Sequence, residues 1–232
     1  MAVEQYIEVL VSGITGEMQE KHKEILIKSK RRIKWLLSLI NEWLSIARIQ
    51  DNIILERIAE VDISSILNEA LELVYVQAEE KNISVEFDMP EKAPVIIGNY
   101  EVLVHLFMNL YSNAIKYNRK NGRVISKVCD KSDSISVTIS DTGIGIPPES
   151  LPFIFDEFFR VRPRIQKNQQ LTGETGTGLG LAIVKKIVDA HKGFITVESQ
   201  LDIGTSFTVH LPKKLAGVEI IQPGQMREIN GR

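Results

Sequence analysis

From Met18 to about Gln50 the apolar residues Ile25, Leu26, Ile33, Leu36, Leu37, Ile40, Trp43, Leu44 and Ala47 recur at steps of three and four, which predicts one long amphipathic helix. Val3, Ile7, Leu10 and Ile14 show the same spacing before it, and Thr15-Gly16-Glu17 interrupts the pattern as a turn. Together the two segments read as an antiparallel helical hairpin. Its apolar seam is too large for one short partner to cover, so the expectation is a homodimer in which two hairpins make a four-helix bundle. Packing of the seam on the rest of the chain is the alternative.

Beyond the polar break at Gln50-Asp51-Asn52 the pattern changes. Asp62 is placed to cap a helix ending near Lys81. Strands follow at 83–87 and 95–97, then a helix from about Tyr100 to Tyr117. A further pair, Arg123 to Cys129 and Ile135 to Ser140, flanks the turn Asp130-Lys131-Ser132-Asp133. A helix from about Leu179 to Ala190 precedes strands near Phe194 to Ser199 and Ser206 to Leu211. The fold class is therefore α+β: a helical hairpin over 1–50, a linker over 51–61, an α/β sandwich with a mixed, largely antiparallel sheet over 62–215, and a tail over 216–232 with no assigned role. A chain of 232 residues has room for two such modules.

Charge and cysteine content narrow the function. Lys and Arg total 28 against 30 Asp and Glu, which argues against a protein that coats nucleic acid. Cys129 is the single cysteine, so an intrachain disulfide and a thiolate zinc cage are both excluded, and a reducing, cytoplasmic setting fits. No run reaches the ~18 apolar residues needed to span a bilayer, and the N-terminus lacks a signal pattern. No membrane contact is expected of this chain, although it is compatible with being the interior part of a membrane protein.

Three segments carry candidate chemistry. Asn109, Asn113, Lys116 and Tyr117 stand on one side of a helix whose adjoining stripe is Leu103, Leu106, Phe107, Leu110 and Ala114. An amide oxygen on a half-buried face is a hard ligand suited to Mg²⁺, and a neighbouring lysine neutralises phosphate charge. Alone, such a face is as compatible with a solvated surface. Asp141-Thr142-Gly143-Ile144-Gly145-Ile146-Pro147 follows a strand, where a carboxylate can accept from an exocyclic amino group and glycines let the backbone lie close to a flat ring. By itself it is also a tight turn. Gly176-Thr177-Gly178-Leu179-Gly180 runs straight into a helix, whose first N–H groups favour phosphate. It lacks the lysine of a P-loop and the spacing of a dinucleotide fold.

Taken in order with a fourth segment, 154–160, these resemble the N, G1, F and G2 boxes of two-component sensor histidine kinases: Asn109-Leu-Tyr-Ser-Asn113-Ala-Ile-Lys116-Tyr117, Asp141-Thr-Gly143-Ile-Gly145, Ile154-Phe155-Asp156-Glu157-Phe158-Phe159-Arg160 and Gly176-Thr-Gly178-Leu-Gly180. The resemblance covers residues 62–212, and the hairpin resembles the end of the family's dimerisation and histidine-phosphotransfer domain. It implies the GHKL, or Bergerat, ATP-binding fold and a kinase that uses ATP and Mg²⁺ to phosphorylate a histidine for relay to a response-regulator receiver domain. Asp141 would bind the adenine amino group, Gly143 and Gly145 shape the ring pocket, and Asn113 coordinate the metal. Asn109, Lys116 and Tyr117 would hold the phosphates or the metal shell, Arg160 reach the terminal phosphate, and Gly176, Thr177, Gly178, Leu179 and Gly180 supply the phosphate loop. Residues 161–175 read as the ATP lid, and Phe155 and Phe158 as packing that anchors it.

Two departures matter. Chaperone and DNA-repair ATPases of the same superfamily place a glutamate base where this chain has Asn109, and an amide cannot take a proton from water, so slow hydrolysis is expected. The acceptor histidine, which the family carries on the first hairpin helix before an acidic residue and a proline, has no counterpart. His22 precedes Lys23 and Glu24 on the second helix; His105 lies one turn before Asn109; His191 sits at a helix C-terminus where a charged ring would complement the dipole; His210 alternates with buried residues and should face solvent. Aligning the hairpin by its turn puts the acceptor before Met1, so a truncated chain unable to autophosphorylate is expected. Lys21, Lys23, Lys28, Lys30, Arg31, Arg32 and Lys34 give the second helix a basic start suited to the acidic pocket of a receiver domain, or simply a solvated face. A nucleotide-gated scaffold and a true ATPase remain the alternatives.

Overall fold

A computed structural model describes residues 2–14, 16, 18–50, 57–161 and 176–215. Helix α1 (Ala2–Val11) and helix α2 (Glu20–Gln50) form the hairpin, joined through Gly13 and Gly16, both in the left-handed region. Ile7 is buried between the helices, while Ile25, Leu36, Ile40 and Leu44 stay about half exposed along α2. The basic start of α2 is partly offset: Lys30 pairs with Glu8, Lys28 with Glu24 at 2.6 Å and Lys23 with Glu20 at 3.9 Å. The expected turn residues Thr15 and Glu17, residues 51–56 and the tail 216–232 lie outside the described residues.

The second half begins earlier than the sequence suggests. Ala59–Asp62, expected to be mostly linker, is a strand, β1, and Ile58 before it is buried. It pairs antiparallel with β3 (Val95–Gly98), because Val61 and Ile96 share a buried face that neither short segment could cover alone. The single helix expected from Asp62 to Lys81 is two: α3 (Ile63–Glu72), capped by the Asp62 carboxylate on Ser65 N at 2.9 Å, and α4 (Tyr75–Glu80). Their joint falls at Leu73-Val74, where the β-branched and aromatic run Val74-Tyr75-Val76 has poor helix propensity.

The main sheet runs β2-β4-β5-β7-β6, from β2 (Ser84–Asp88), β4 (Arg123–Asp130), β5 (Ser134–Asp141), β7 (Gly204–Pro212) and β6 (Phe194–Gln200). Only β2 and β4 are parallel. Helices α3, α5 (Tyr100–Lys116) and α6 (Gly180–Ala190) cover one face, and α2 lies against α6. Strand alternation sends Val124, Val128, Val137, Ile139, Phe207 and Val209 into that core. On the outer face hydroxyls pair across strands, Thr138 with Thr208 at 2.9 Å and Ser140 with Ser206 at 2.8 Å.

Two histidines differ from what the sequence suggests. His191, at the end of α6, is buried with Nδ1 donating to Ile187 O at 2.9 Å and Nε2 accepting from Asn99 N at 3.3 Å. Burial pushes its pKa down, so it is a neutral clamp between α6 and the cap of α5, not a charged partner of the helix dipole. His210 lies on the outer face but is partly covered, stacked on Phe194 with ring centroids 4.2 Å apart.

Candidate nucleotide site

The site is built around the end of α5. Asn99 caps the helix, accepting from Val102 N at 3.2 Å, and Leu103, Leu106, Phe107 and Leu110 bury one side completely. That anchorage fixes the rotation of the helix and leaves Asn109, Asn113 and Lys116 half-buried on the opposite side, with Tyr117 at the C-cap 45% exposed. Asn109 Nδ2 donates to the His105 carbonyl at 2.9 Å, so His105 meets the site through its backbone. This leaves the Asn109 amide oxygen facing outward.

The glycine loop arrives against that face. A side-chain carbon at Gly176 would lie 2.6 Å from Lys116 Nζ and 3.8 Å from the Tyr117 hydroxyl. One at Gly180 would lie 2.9 Å from Asn109 Oδ1. The ends of Lys116 and Asn109 thus stand directly against the loop that leads into a helix, and backbone N–H groups at a helix start suit an anion. Within the loop, Thr177 Oγ1 accepts from Leu179 N at 3.2 Å, and Gly178 adopts φ +79 with its carbonyl receiving the Phe158 N–H at 3.0 Å. Leu179 is buried beneath the helix start.

The third segment closes the far side. Asp141 ends β5 with its carboxylate accepting from Gly143 N at 2.8 Å and from the Thr205 backbone. Burial nevertheless pushes its pKa up to about 6, because two N–H groups do not replace the water lost. Gly143 packs on the Tyr117 carbonyl, which also accepts from Ile144 N at 3.1 Å, so the Asp141 turn is joined to the end of α5. Gly145 has φ +68 and abuts the Gln200 carbonyl, leaving no room for a side chain.

Lys116 and Asn109 thus stand against Gly176 and Gly180 of the loop, while the Tyr117 carbonyl meets the Gly143-Ile144 turn that follows Asp141; Asn113 lies half-buried on the same helix, and Gly145 packs on Gln200. Arg160 is exposed, held through its neighbours: Phe158 N bonds Gly178, and Glu157 pairs with Lys186 of α6 at 2.7 Å. Phe155 packs edge-on against Phe207 with centroids 6.4 Å apart, as a packing residue should. Phe158 does not: its side chain is 54% exposed and its backbone holds φ +63, so it serves through its N–H. The segment read as a lid lies, from 162 to 175, outside the described residues.

Several supporting residues are not evident from sequence. Asn118 is buried, donating to Arg123 O at 3.0 Å and accepting from Arg119 N at 2.9 Å and from the Thr142 hydroxyl at 3.2 Å, and so ties the end of α5 to the Asp141 turn. Gly204, at φ +149, fits directly under the Asp141 backbone. Its place after Asp202-Ile203 in a tight turn is the available signal. Among the described residues no group of three or more His, Cys, Asp or Glu side chains is placed to hold a metal. Asn113, half-buried on the α5 face, offers one neutral amide oxygen, a hard donor. No described helix is long and apolar enough to cross a membrane.

Residues 98–215 match the family described as histidine kinase-, DNA gyrase B-, and HSP90-like ATPase. Among curated proteins, the sensor-like histidine kinase SenX3 of Mycobacterium tuberculosis is 33% identical over 95% of this chain and 52% of its own length. The sensor protein SrrB of Staphylococcus aureus is 35% identical over 90% of this chain and 34% of its own. The chain therefore spans between a third and a half of these relatives. Among solved structures, full-length ShkA in complex with AMPPNP superposes with a TM-score of 0.66 at 26% identity, covering 91% of this chain and 43% of that one.

Proposed function

The chain belongs to the histidine kinase-, DNA gyrase B-, and HSP90-like ATPase family, and on that premise we propose that it is the cytoplasmic catalytic portion of a two-component sensor histidine kinase. It binds Mg-ATP and donates the terminal phosphate to a histidine, for relay to the aspartate of a response-regulator receiver domain. The observation that carries this reading is the convergence of the Lys116 ammonium on Gly176 and of the Asn109 amide on Gly180, which sets a cation and an amide beside a glycine loop that runs into the start of α6.

In this reading the Asp141 carboxylate accepts from the adenine amino group, and Gly143 and Gly145 let the ring lie against backbone. Lys116 and the N–H groups of the 176–180 loop bind the phosphates. A magnesium ion held by Asn113 supplies neutralisation of phosphate charge. Arg160 stabilises the charge that develops on the transferred group. Asn109 has no basic site and already donates to a carbonyl, so it leaves water unactivated and reserves the phosphate for another nucleophile. The half-exposed stripe Ile25, Leu36, Ile40 and Leu44 supports pairing of two hairpins in a homodimer.

None of the four histidines is set as an acceptor: His191 is buried with both nitrogens bonded, His210 is stacked on Phe194, His105 underlies Asn109, and His22 lies on α2 beside Lys23. Incubated with γ-labelled ATP, the chain should bind nucleotide, hydrolyse it slowly and remain unlabelled. Fusion of a sensor-kinase acceptor helix ahead of α1 should then yield acid-labile phosphohistidine. Rapid steady-state hydrolysis would overturn the kinase reading, and label on one of the four native histidines would overturn the statement that none of them is an acceptor.

A further inference from the structure

We infer that Lys81 is a positioning residue of the nucleotide site, closing the C-terminal end of α5 and offsetting the negative charge that this end would present to a bound polyphosphate. The inference rests on the nucleotide reading above. The difficulty it answers is electrostatic. Asn113, Lys116 and Tyr117 all belong to the last turn of α5 and its cap, so phosphate is asked to bind beside the end of a helix that carries unpaired carbonyls and about half a negative charge. Phosphate usually prefers the opposite end.

Lys81 meets those carbonyls directly. Its Nζ donates to Ile115 O at 3.0 Å and to Lys116 O at 2.6 Å, from the C-cap of α4 and in a partly buried setting. Tyr117 N donates to Asn113 O and Ile115 O and Asn118 N reaches Ile115 O at 3.3 Å, so two backbone N–H groups and one ammonium group close the last turn. The ammonium adds what the N–H groups cannot, a full positive charge.

The surrounding turns hold Lys81 in place. Its own carbonyl accepts from Asn121 N at 3.0 Å, and Ser84 N donates to Gly122 O at 3.1 Å. Asn82 and Asn121 both take left-handed conformations, φ +52 and +59, and join through Nδ2 and Oδ1 at 2.6 Å. The turn after α4 and the loop after α5 are therefore one unit, and Lys81 spans it to the helix end where the Lys116 side chain faces Gly176 and the Tyr117 carbonyl meets Gly143. Loss of the cation would both loosen the last turn and restore the helix-end charge near the phosphates.

A structural brace alone would lower affinity for every adenine nucleotide alike, whereas the charge role weighs on ligands by their phosphate charge. Isothermal titration of the full chain with ATP and with AMP at fixed Mg²⁺ separates these. Lys81→Met should weaken ATP binding about tenfold and AMP binding no more than about twofold. Lys81→Arg, which keeps the cation and the donors, should recover most of the loss. If Lys81→Met melts too low to titrate, Lys81→Gln keeps a donor without charge and should show the same split. Unchanged ATP affinity, equal losses for ATP and AMP, or failure of Lys81→Arg to recover binding would each overturn the inference. A wild-type chain that binds no ATP would instead remove the nucleotide reading on which it rests.

Discussion

In α5 of the sandwich Leu103, Leu106, Phe107 and Leu110 are fully buried, whereas in α2 of the hairpin Ile25, Leu36, Ile40 and Leu44 remain 48–53% exposed. Both helices carry an apolar stripe at the same spacing. The difference lies in what faces the stripe. Helix α5 meets α3, α6 and strand β5, so its apolar stripe is enclosed; among the described residues the main contacts of α2 are with α1 and α6. Two helices leave a seam of this width partly open, so the contrast predicts that the hairpin, unlike the sandwich, is stabilised by a further partner.

The largest effect that tests this contrast is on stability. Phe107→Ala should cost about 3–5 kcal/mol in denaturant unfolding, independent of protein concentration. Ile40→Glu should leave that transition nearly unmoved yet shift the chain toward monomer in sedimentation. An unchanged sedimentation profile would remove the hairpin half of the contrast. Next in size is nucleotide affinity, which should belong to the sandwich alone. Asp141→Asn should weaken ATP binding about 10- to 100-fold by exchanging a charged acceptor for a neutral one, while Ile40→Glu leaves it unchanged in a titration at the same protein concentration.

The smallest effect is in pH. Asp141 has its folded pKa raised to about 6 from an ordinary value near 3.8, chiefly by burial. A raised carboxylate pKa means that the folded, nucleotide-free chain binds a proton more readily than the unfolded one. Its contribution to stability is therefore fully present below about pH 4 and is lost as pH rises through 6. Adenine binding asks for the ionised form, so ATP affinity should be level above pH 7 and fall up to about tenfold per unit below 6. Asp141→Asn should abolish that step. A step that persists in the variant assigns the titration to another group.

Much of the sandwich and its site is legible in the sequence. The spacing of Asn109, Asn113, Lys116 and Tyr117 against a stripe of leucines is enough to orient α5, because helical period and burial are local properties. The Asp62 cap and the strand alternation of β4, β5 and β7 are legible for the same reason. The pairing of β1 with β3 and the exposed Phe158 are not. Each depends on a partner distant in the chain, which local pattern does not report. Lys81 and Asn118 belong with them: a lysine at the end of a helix and an asparagine after another look like ordinary surface until the β2-β4 pairing brings their turns together.

By itself the sequence determined which side of each element is apolar, where helices start, and that four motifs of a phosphate-handling family occur in order. Periodicity is written in the chain because a side chain's direction follows from its own backbone and near neighbours. Only the tertiary structure decided that Gly176 stands against Lys116, that Gly204 underlies Asp141, and that an ammonium from the end of α4 closes α5. Such contacts follow from which strands and helices lie side by side, and that is settled by burial of the whole core at once.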